Sequence, residues 1–89
     1  MEVIYAPKAF KDIKYWKKSG NKVVQNKISE LIEDIKKHPF EGIGQPELLQ
    51  YKLSGLWSRR INHKDRIVYM VSIEKIEILS MRGHYLKIR

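Results

Sequence analysis

Glu47, Arg60, Arg66, His84 and Tyr85 are the side chains of this sequence best suited to chemistry. A carboxylate, a histidine, arginines and a tyrosine, with no cysteine in the chain, are the parts for acid–base work on a phosphate ester. RNA is the natural substrate for such a set, because its 2'-hydroxyl can attack the adjacent phosphorus once a base takes its proton. A glutamate, ordinarily ionised at neutral pH, can be that base, and a protonated histidine can donate to the departing 5'-oxygen. Arg66 would then balance the charge on five-coordinate phosphorus, with Arg60 on a flanking phosphate. Each residue also has a plainer reading. A glutamate at a strand start is commonly just solvated, a histidine near a terminus is commonly exposed and idle, and Arg59 and Arg66 could pair across strands with Asp65 or Glu77. Trp57 is either packing or a surface on which a base stacks.

Arginine is segregated from lysine. The first 58 residues contain no arginine but ten of the thirteen lysines, and three of the five arginines fall between Leu53 and Val71. Arginine is a planar fork that grips phosphate through two parallel hydrogen bonds, whereas lysine is a hydrated point charge. The pattern fits lysines that solubilise helices and arginines that read phosphate from strands. Arg59, Arg60, Lys52 and Trp57 are accordingly the candidate RNA-binding residues, and Glu47, Arg66, His84 and Tyr85 the candidate catalytic ones.

The composition, 43% hydrophobic and 31% charged over 89 residues, predicts one folded domain, 1–89, with a small core. Its formal charge of +8 favours nucleic acid or an acidic protein as partner. No spacing among His38, Glu41 and His63 resembles a metal site, and no metal or cofactor is expected. Without cysteine, an apolar leader or a membrane-length apolar run, the expected location is cytoplasmic, with no membrane partner.

Positioning the site falls to a predicted α+β fold. Residues 2–6, closed by Pro7, make a strand. Phe10, Ile13 and Trp16 recur every three residues in a helix over 8–18, broken by Ser19-Gly20-Asn21. Val24, Ile28, Leu31, Ile32 and Ile35 form the apolar stripe of a second helix, ended by Pro39. The two make an antiparallel hairpin. A loop with two prolines and two glycines, residues 39–46, leads to strands at about 47–53, 56–62, 66–73 and 76–83. The result is an N-terminal strand and a helical hairpin packed on one face of a small antiparallel sheet, in the order βααβββ(β). Alternation puts Ile67, Tyr69, Val71 and Ile73 on the helix side and Arg66, Val68, Met70 and Ser72 on the other. A three-residue turn centred on Lys75 pairs Tyr69 with Met81, Val71 with Leu79 and Arg66 with His84. Asn62 then pairs with Arg66, and Arg60 joins the same face.

These residues occur in an order that resembles the YoeB-like (Txe/YoeB) branch of the RelE superfamily of bacterial toxin–antitoxin toxins. The resemblance rests on Tyr15-Trp16, on Ile28 to Ile35, on Pro39-Phe40-Glu41-Gly42 with Gly44 and Pro46-Glu47, and on Leu53-Ser54-Gly55. Trp57-Ser58-Arg59-Arg60-Ile61, Arg66-Ile67-Val68-Tyr69 and the closing His84-Tyr85 complete it. It implies a RelE-like fold and a ribosome-dependent endoribonuclease that cuts mRNA in the ribosomal A site, with Glu47 as base, Arg66 as transition-state stabiliser, His84 as acid, Tyr85 as a positioning or stacking residue and Arg60 in support. As partners it implies a cognate antitoxin of YefM type, the ribosome with its mRNA, operator DNA reached only through the antitoxin complex, and a homodimer. Three features depart from the pattern. Gln45 and Gln50 stand where lysines are common, Gly83 replaces a larger residue, and a short tail, 86–89, follows Tyr85. The rivals are a non-enzymatic toxin of the same fold that inhibits a protein such as gyrase, as the ParE branch does, and a basic RNA-binding module without activity.

Overall fold

The computed structural model describes residues 1–83. His84, Tyr85 and the tail at 86–89 lie outside the described residues. The elements run β1 Glu2–Tyr5, α1 Pro7–Ser19, α2 Lys22–Lys37, β2 Glu47–Leu48, β3 Trp57–Arg60, β4 Arg66–Val71 and β5 Lys75–Ser80, with a 3-10 turn at Tyr51–Leu53. They form one five-stranded sheet in the order β1-β5-β4-β3-β2, covered on one face by the helices. The three neighbouring pairs from β2 to β5 are antiparallel, and β1 extends the sheet by lying parallel to β5.

Local chemistry sets the helix limits. Pro7 opens α1, where its missing N–H is no loss. Gly20 ends it in the left-handed region at φ 72°, donating its N–H to the Lys17 carbonyl, and Asn21 caps α2 by accepting from the Val24 N–H at 3.0 Å. The stripe of α2 is as the spacing predicts, with Val24, Ile28, Leu31 and Ile35 buried. That of α1 is displaced. Ala9, Asp12 and Trp16 are its buried residues, while Phe10 stands exposed with its ring near that of Tyr5. A carboxylate on a buried helix face defeats a pattern that counts only apolar residues.

Ile67, Tyr69, Ile76 and Ile78 are fully buried between sheet and helices, and each such side chain contributes about 1.5–3 kcal/mol by leaving water. The strand register differs from the expected one. Tyr69 lies opposite Ile78 and Val71 opposite Ile76, then a bulge intervenes and Val68 lies opposite Ser80. The hairpin closes between Ser72 and Lys75, which leaves Ile73 at the exposed tip and puts Leu79 on the side away from the helices. Past the bulge the alternation changes phase, so Met81 returns to the main core.

The far face of the sheet is also partly covered. The expected strand over 47–53 is only two residues long, because the chain leaves the sheet at Leu49 and folds back through the 3-10 turn, with Tyr51 at φ 58°. Leu49 and Leu53 thereby close over Val68, with Leu56 and Leu79 at the margin. The other strands are each shorter than expected at one or both ends. Among the described residues, no helix is long and apolar enough to cross a membrane.

Candidate active site

Register determines which side chains share a surface, since residues directly opposite on adjacent strands point to the same face. Glu47 on β2 lies opposite Ser58 on β3, and Ser58 opposite Val68 on β4. Two residues along, Arg60 lies directly opposite Arg66. Glu47, Arg60 and Arg66 therefore occupy the face away from the helices, beside the patch that Leu49 and Leu53 cover. Glu47 and Arg60 are diagonal neighbours, about 7–8 Å apart at their α-carbons. Glu47 to Arg66 is roughly 12 Å across two strand spacings and two residues of rise. These three positions share one face, and side chains of this length extended from them can reach a group the size of a phosphate.

The exposures agree with this arrangement. Glu47 and Arg60 are exposed and Arg66 is half-buried. The Arg66 guanidinium folds back on its own loop, donating through Nη1 to the carbonyls of Asn62 at 2.9 Å, Asp65 at 3.2 Å and, more weakly, His63 at 3.4 Å. Two arginines directly opposite each other, with no carboxylate paired to either among the described residues, oppose folding rather than support it. An anion between them would relieve that repulsion.

The position of Glu47 is set from the opposite face. Arg59 alternates with Arg60 and points toward the helices, where it is fully buried. Its guanidinium donates to the Asp34 carboxylate of α2, to the carbonyl of His38, to that of Glu41 at 2.8 Å and to that of Ile43 at 3.1 Å, and its Nε donates to the Tyr69 hydroxyl at 3.1 Å. Tyr69 in turn donates to the Pro39 carbonyl at 2.7 Å. One arginine thus fastens residues 38–43 to the sheet, and Arg60 N–H adds a bond to the Gly44 carbonyl at 2.7 Å. Gly42 is required by this closeness, because a Cβ there would lie 2.0 Å from Asp34 Oδ2. The loop so fixed delivers Pro46 and Glu47 to the edge of the sheet. Arg59's hydrogen bond holds the Asp34 carboxyl below its usual range against an opposing effect of burial, and the Ile43 N–H lowers it further. Burial pushes the Tyr69 phenol up, partly offset by the Arg59 hydrogen bond.

Arg59 is therefore not an RNA-binding residue. Its donors are taken inside the fold, and its carboxylate partner is Asp34 rather than Asp65 or Glu77. Trp57 is likewise turned from the arginine face. It lies opposite Tyr69 on the helix side, half-buried, with its ring 5.1 Å from that of Phe40, which is the packing reading and not the stacking one. Lys52 is exposed in the 3-10 turn.

Sequence spacing missed Asp12 and Asp34. Both sit among helix charges that look solvated, and only their tertiary partners distinguish them. The pairing of Arg66 with His84 falls on a residue outside the described ones, but the Arg66 N–H donates to the carbonyl of Gly83, the residue before it, at 3.1 Å. His38, Glu41 and His63 are exposed, and no group of three or more His, Cys, Asp or Glu among the described residues is placed to hold a metal ion.

Comparison with known proteins bears on the whole of this architecture. Residues 5–85 match the family model of the YoeB-like toxin of bacterial type II toxin–antitoxin systems. The chain is 42% identical to Toxin YoeB of Escherichia coli strain K12 over 85 residues, 96% of this chain and all of that one. It superimposes on a YoeB/ParE toxin from Agrobacterium tumefaciens with a TM-score of 0.90 at 34% identity, covering 96% of this chain and 100% of that one. The YoeB of Staphylococcus aureus, solved in a heterotetrameric complex with the antitoxin YefM, matches with a TM-score of 0.84 at 42% identity over 96% of this chain and 98% of its own. The chain belongs to the YoeB-like toxin family of bacterial type II toxin–antitoxin systems.

Proposed function

We propose that this toxin is a ribosome-dependent endoribonuclease that cleaves mRNA in the ribosomal A site and so stops translation. The observation that carries this reading is the face on which Arg60 opposes Arg66 directly with Glu47 as diagonal neighbour. In the reaction, Glu47 takes the proton of a ribose 2'-hydroxyl and the 2'-oxygen attacks the adjacent phosphorus. Arg66 swings from its loop carbonyls to the equatorial oxygens of the five-coordinate phosphorus, and Arg60 holds a neighbouring phosphate. The bond from phosphorus to the 5'-oxygen breaks as His84 donates its proton there, leaving a 2',3'-cyclic phosphate and a 5'-hydroxyl. Tyr85 positions or stacks the nucleotide, and Lys52, exposed near the same edge, adds a cation for the backbone. The formal charge of +8 draws the protein to ribosomal and messenger RNA, and Gln45 and Gln50 reduce that attraction locally.

The antitoxin is of the YefM type found with the S. aureus relative. It covers this face, and the pair represses its own operon by binding operator DNA together.

Mapping the ends of mRNA after incubation with toxin and programmed ribosomes tests the proposal. A discrete cut at the A-site codon ending in 2',3'-cyclic phosphate is expected. Growth inhibition that survives both Glu47→Ala and His84→Ala, with no cut on ribosomes, would instead make the protein a non-catalytic inhibitor.

A further inference from the structure

Three residues separate β5 from His84, and their main chain is held by side chains from elsewhere in the fold. Asp12 on α1, only 5% exposed, accepts the Met81 N–H at 2.8 Å, and Trp16 Nε1 donates to the Met81 carbonyl at 2.8 Å. Lys8 Nζ, paired with Asp12 at 2.9 Å, also donates to the Arg82 carbonyl at 3.2 Å. The Arg82 guanidinium lies 3.5 Å from the ring centre of Tyr15. Gly83 is bracketed by two consecutive residues: its N–H donates to Asp65 Oδ1 at 2.8 Å, and its carbonyl accepts the Arg66 N–H at 3.1 Å. It takes φ 83°, so the chain turns there through a conformation suited to glycine.

The bracket is not needed to close the loop that carries it. Asn62 Oδ1 accepts the N–H groups of Lys64 at 2.9 Å and Asp65 at 2.8 Å, and the Asp65 carbonyl accepts the Ile61 N–H at 3.0 Å. The loop between β3 and β4 is thereby formed without the Asp65 carboxylate. What that carboxylate does is tie the residue before His84 to the residue before Arg66.

We propose that Asp65 is a positioning residue for the reaction. By holding the Gly83 N–H it fixes the distance between the main-chain origins of the acid His84 and of the charge-stabilising Arg66, while Asp12 and Trp16 fix the other end of the same segment at Met81. The inference rests on the proposed role of His84. Because a shift of about 1 Å between reacting groups can reduce a rate by about 100-fold, one hydrogen bond at this point has leverage over chemistry out of proportion to its effect on folding.

Single-turnover cleavage on programmed ribosomes decides the matter, with thermal unfolding measured on every variant. Asp65→Ala lowers the saturated rate by roughly 10- to 100-fold, leaves the half-saturating ribosome concentration within about threefold, and lowers Tm by no more than a few degrees. Asp65→Asn, which keeps an oxygen acceptor at the same place, restores most of the rate. In a His84→Ala background, which itself lowers the rate, Asp65→Ala produces little further loss. A full-rate Asp65→Ala alongside an impaired His84→Ala overturns the positioning role and leaves the proposed function standing. An Asp65→Ala loss of equal size with and without His84 also overturns it, because the carboxylate would then act independently of the acid. A His84→Ala variant at full rate overturns the proposed function instead, and with it the need for anything to position that residue.

Discussion

Arg59→Met isolates the contribution of the buried guanidinium, because methionine fills much of the same space without donors. In the native fold the guanidinium satisfies the carbonyls of His38, Glu41 and Ile43 as well as Asp34. A buried polar group left without a partner costs about 1–3 kcal/mol. Taking the low end for the Glu41 and Ile43 carbonyls, and assigning nothing to Asp34, whose carboxylate still reaches water, or to His38, whose carbonyl also accepts the Glu41 N–H, the loss is about 2 kcal/mol. A domain of this size has only about 5–13 kcal/mol of stability in all. At about 4–8 °C per kcal/mol, Tm falls by at least about 8 °C. Thermal unfolding followed by circular dichroism measures this, and hydrogen exchange at the Arg60 and Ile43 amides reports whether the 38–44 loop has come away, since those amides bond to Gly44 and Asp34. Arg59→Lys, a point charge that cannot reach all the acceptors at once, recovers less than half of the loss. A drop in Tm below about 4 °C for Arg59→Met, or unchanged protection of both amides, refutes the view that this arginine fastens the loop delivering Glu47.

Other outcomes follow from the same contacts. Gly42→Ala places a methyl against Asp34 Oδ2 at a φ of 122°, and a loss of roughly 1–3 kcal/mol in urea unfolding is expected, smaller in an Asp34→Ala background. Because Arg59 lowers the Asp34 pKa from its ordinary 3.8, the pair's stability is present above that value and is lost as pH falls through the folded one; Asp34→Asn flattens the acid limb of a Tm-against-pH curve. Tyr69 has its pKa raised above 10.0, so its contribution is present below pH 10 and is lost as pH rises through the folded value, with phenolate absorbance of the folded protein appearing later than that of free tyrosine. Glu47→Gln lowers the single-turnover cleavage rate by roughly 100- to 10,000-fold with Tm nearly unchanged, and Arg60→Thr also impairs cleavage while raising Tm slightly at low salt, since it removes a like charge facing Arg66.

Much of the fold was legible in the sequence, and some of the site. The α2 stripe and the placement of Arg60 with Arg66 on one face follow from periods of 3.6 and 2, and the caps at Gly20 and Asn21 from residue type, all local properties of the chain. The strand register was not legible. Ser72 and Lys75 close a tighter turn than one centred on Lys75, and the bulge beside Val68 and Tyr69 then changes the alternation, so Tyr69 and Val71 meet Ile78 and Ile76 instead of Met81 and Leu79. The segment after Leu48 reads as strand, a mixed run of apolar residues ended by Ser54-Gly55, yet Leu49 and Leu53 bury themselves over Val68 by leaving the sheet.

What the sequence by itself determined was the family pattern, the secondary elements and the charge segregation that drew attention to residues 53–71, because each depends on residue type at fixed spacing. Adjacent arginines on one strand face opposite ways, so the alternation alone separates Arg59 from Arg60. Only the tertiary structure decided what each meets: Arg59 meets Asp34 and three loop carbonyls from distant parts of the chain and fastens the loop before Glu47, while Arg60 lies opposite Arg66 on the other face. The same holds for Asp12 and Asp65. Whether a carboxylate is solvated or holds a main-chain amide depends on which residues, here 18 and 69 positions away, the fold brings within 3 Å, and that distance is not a property of any local window.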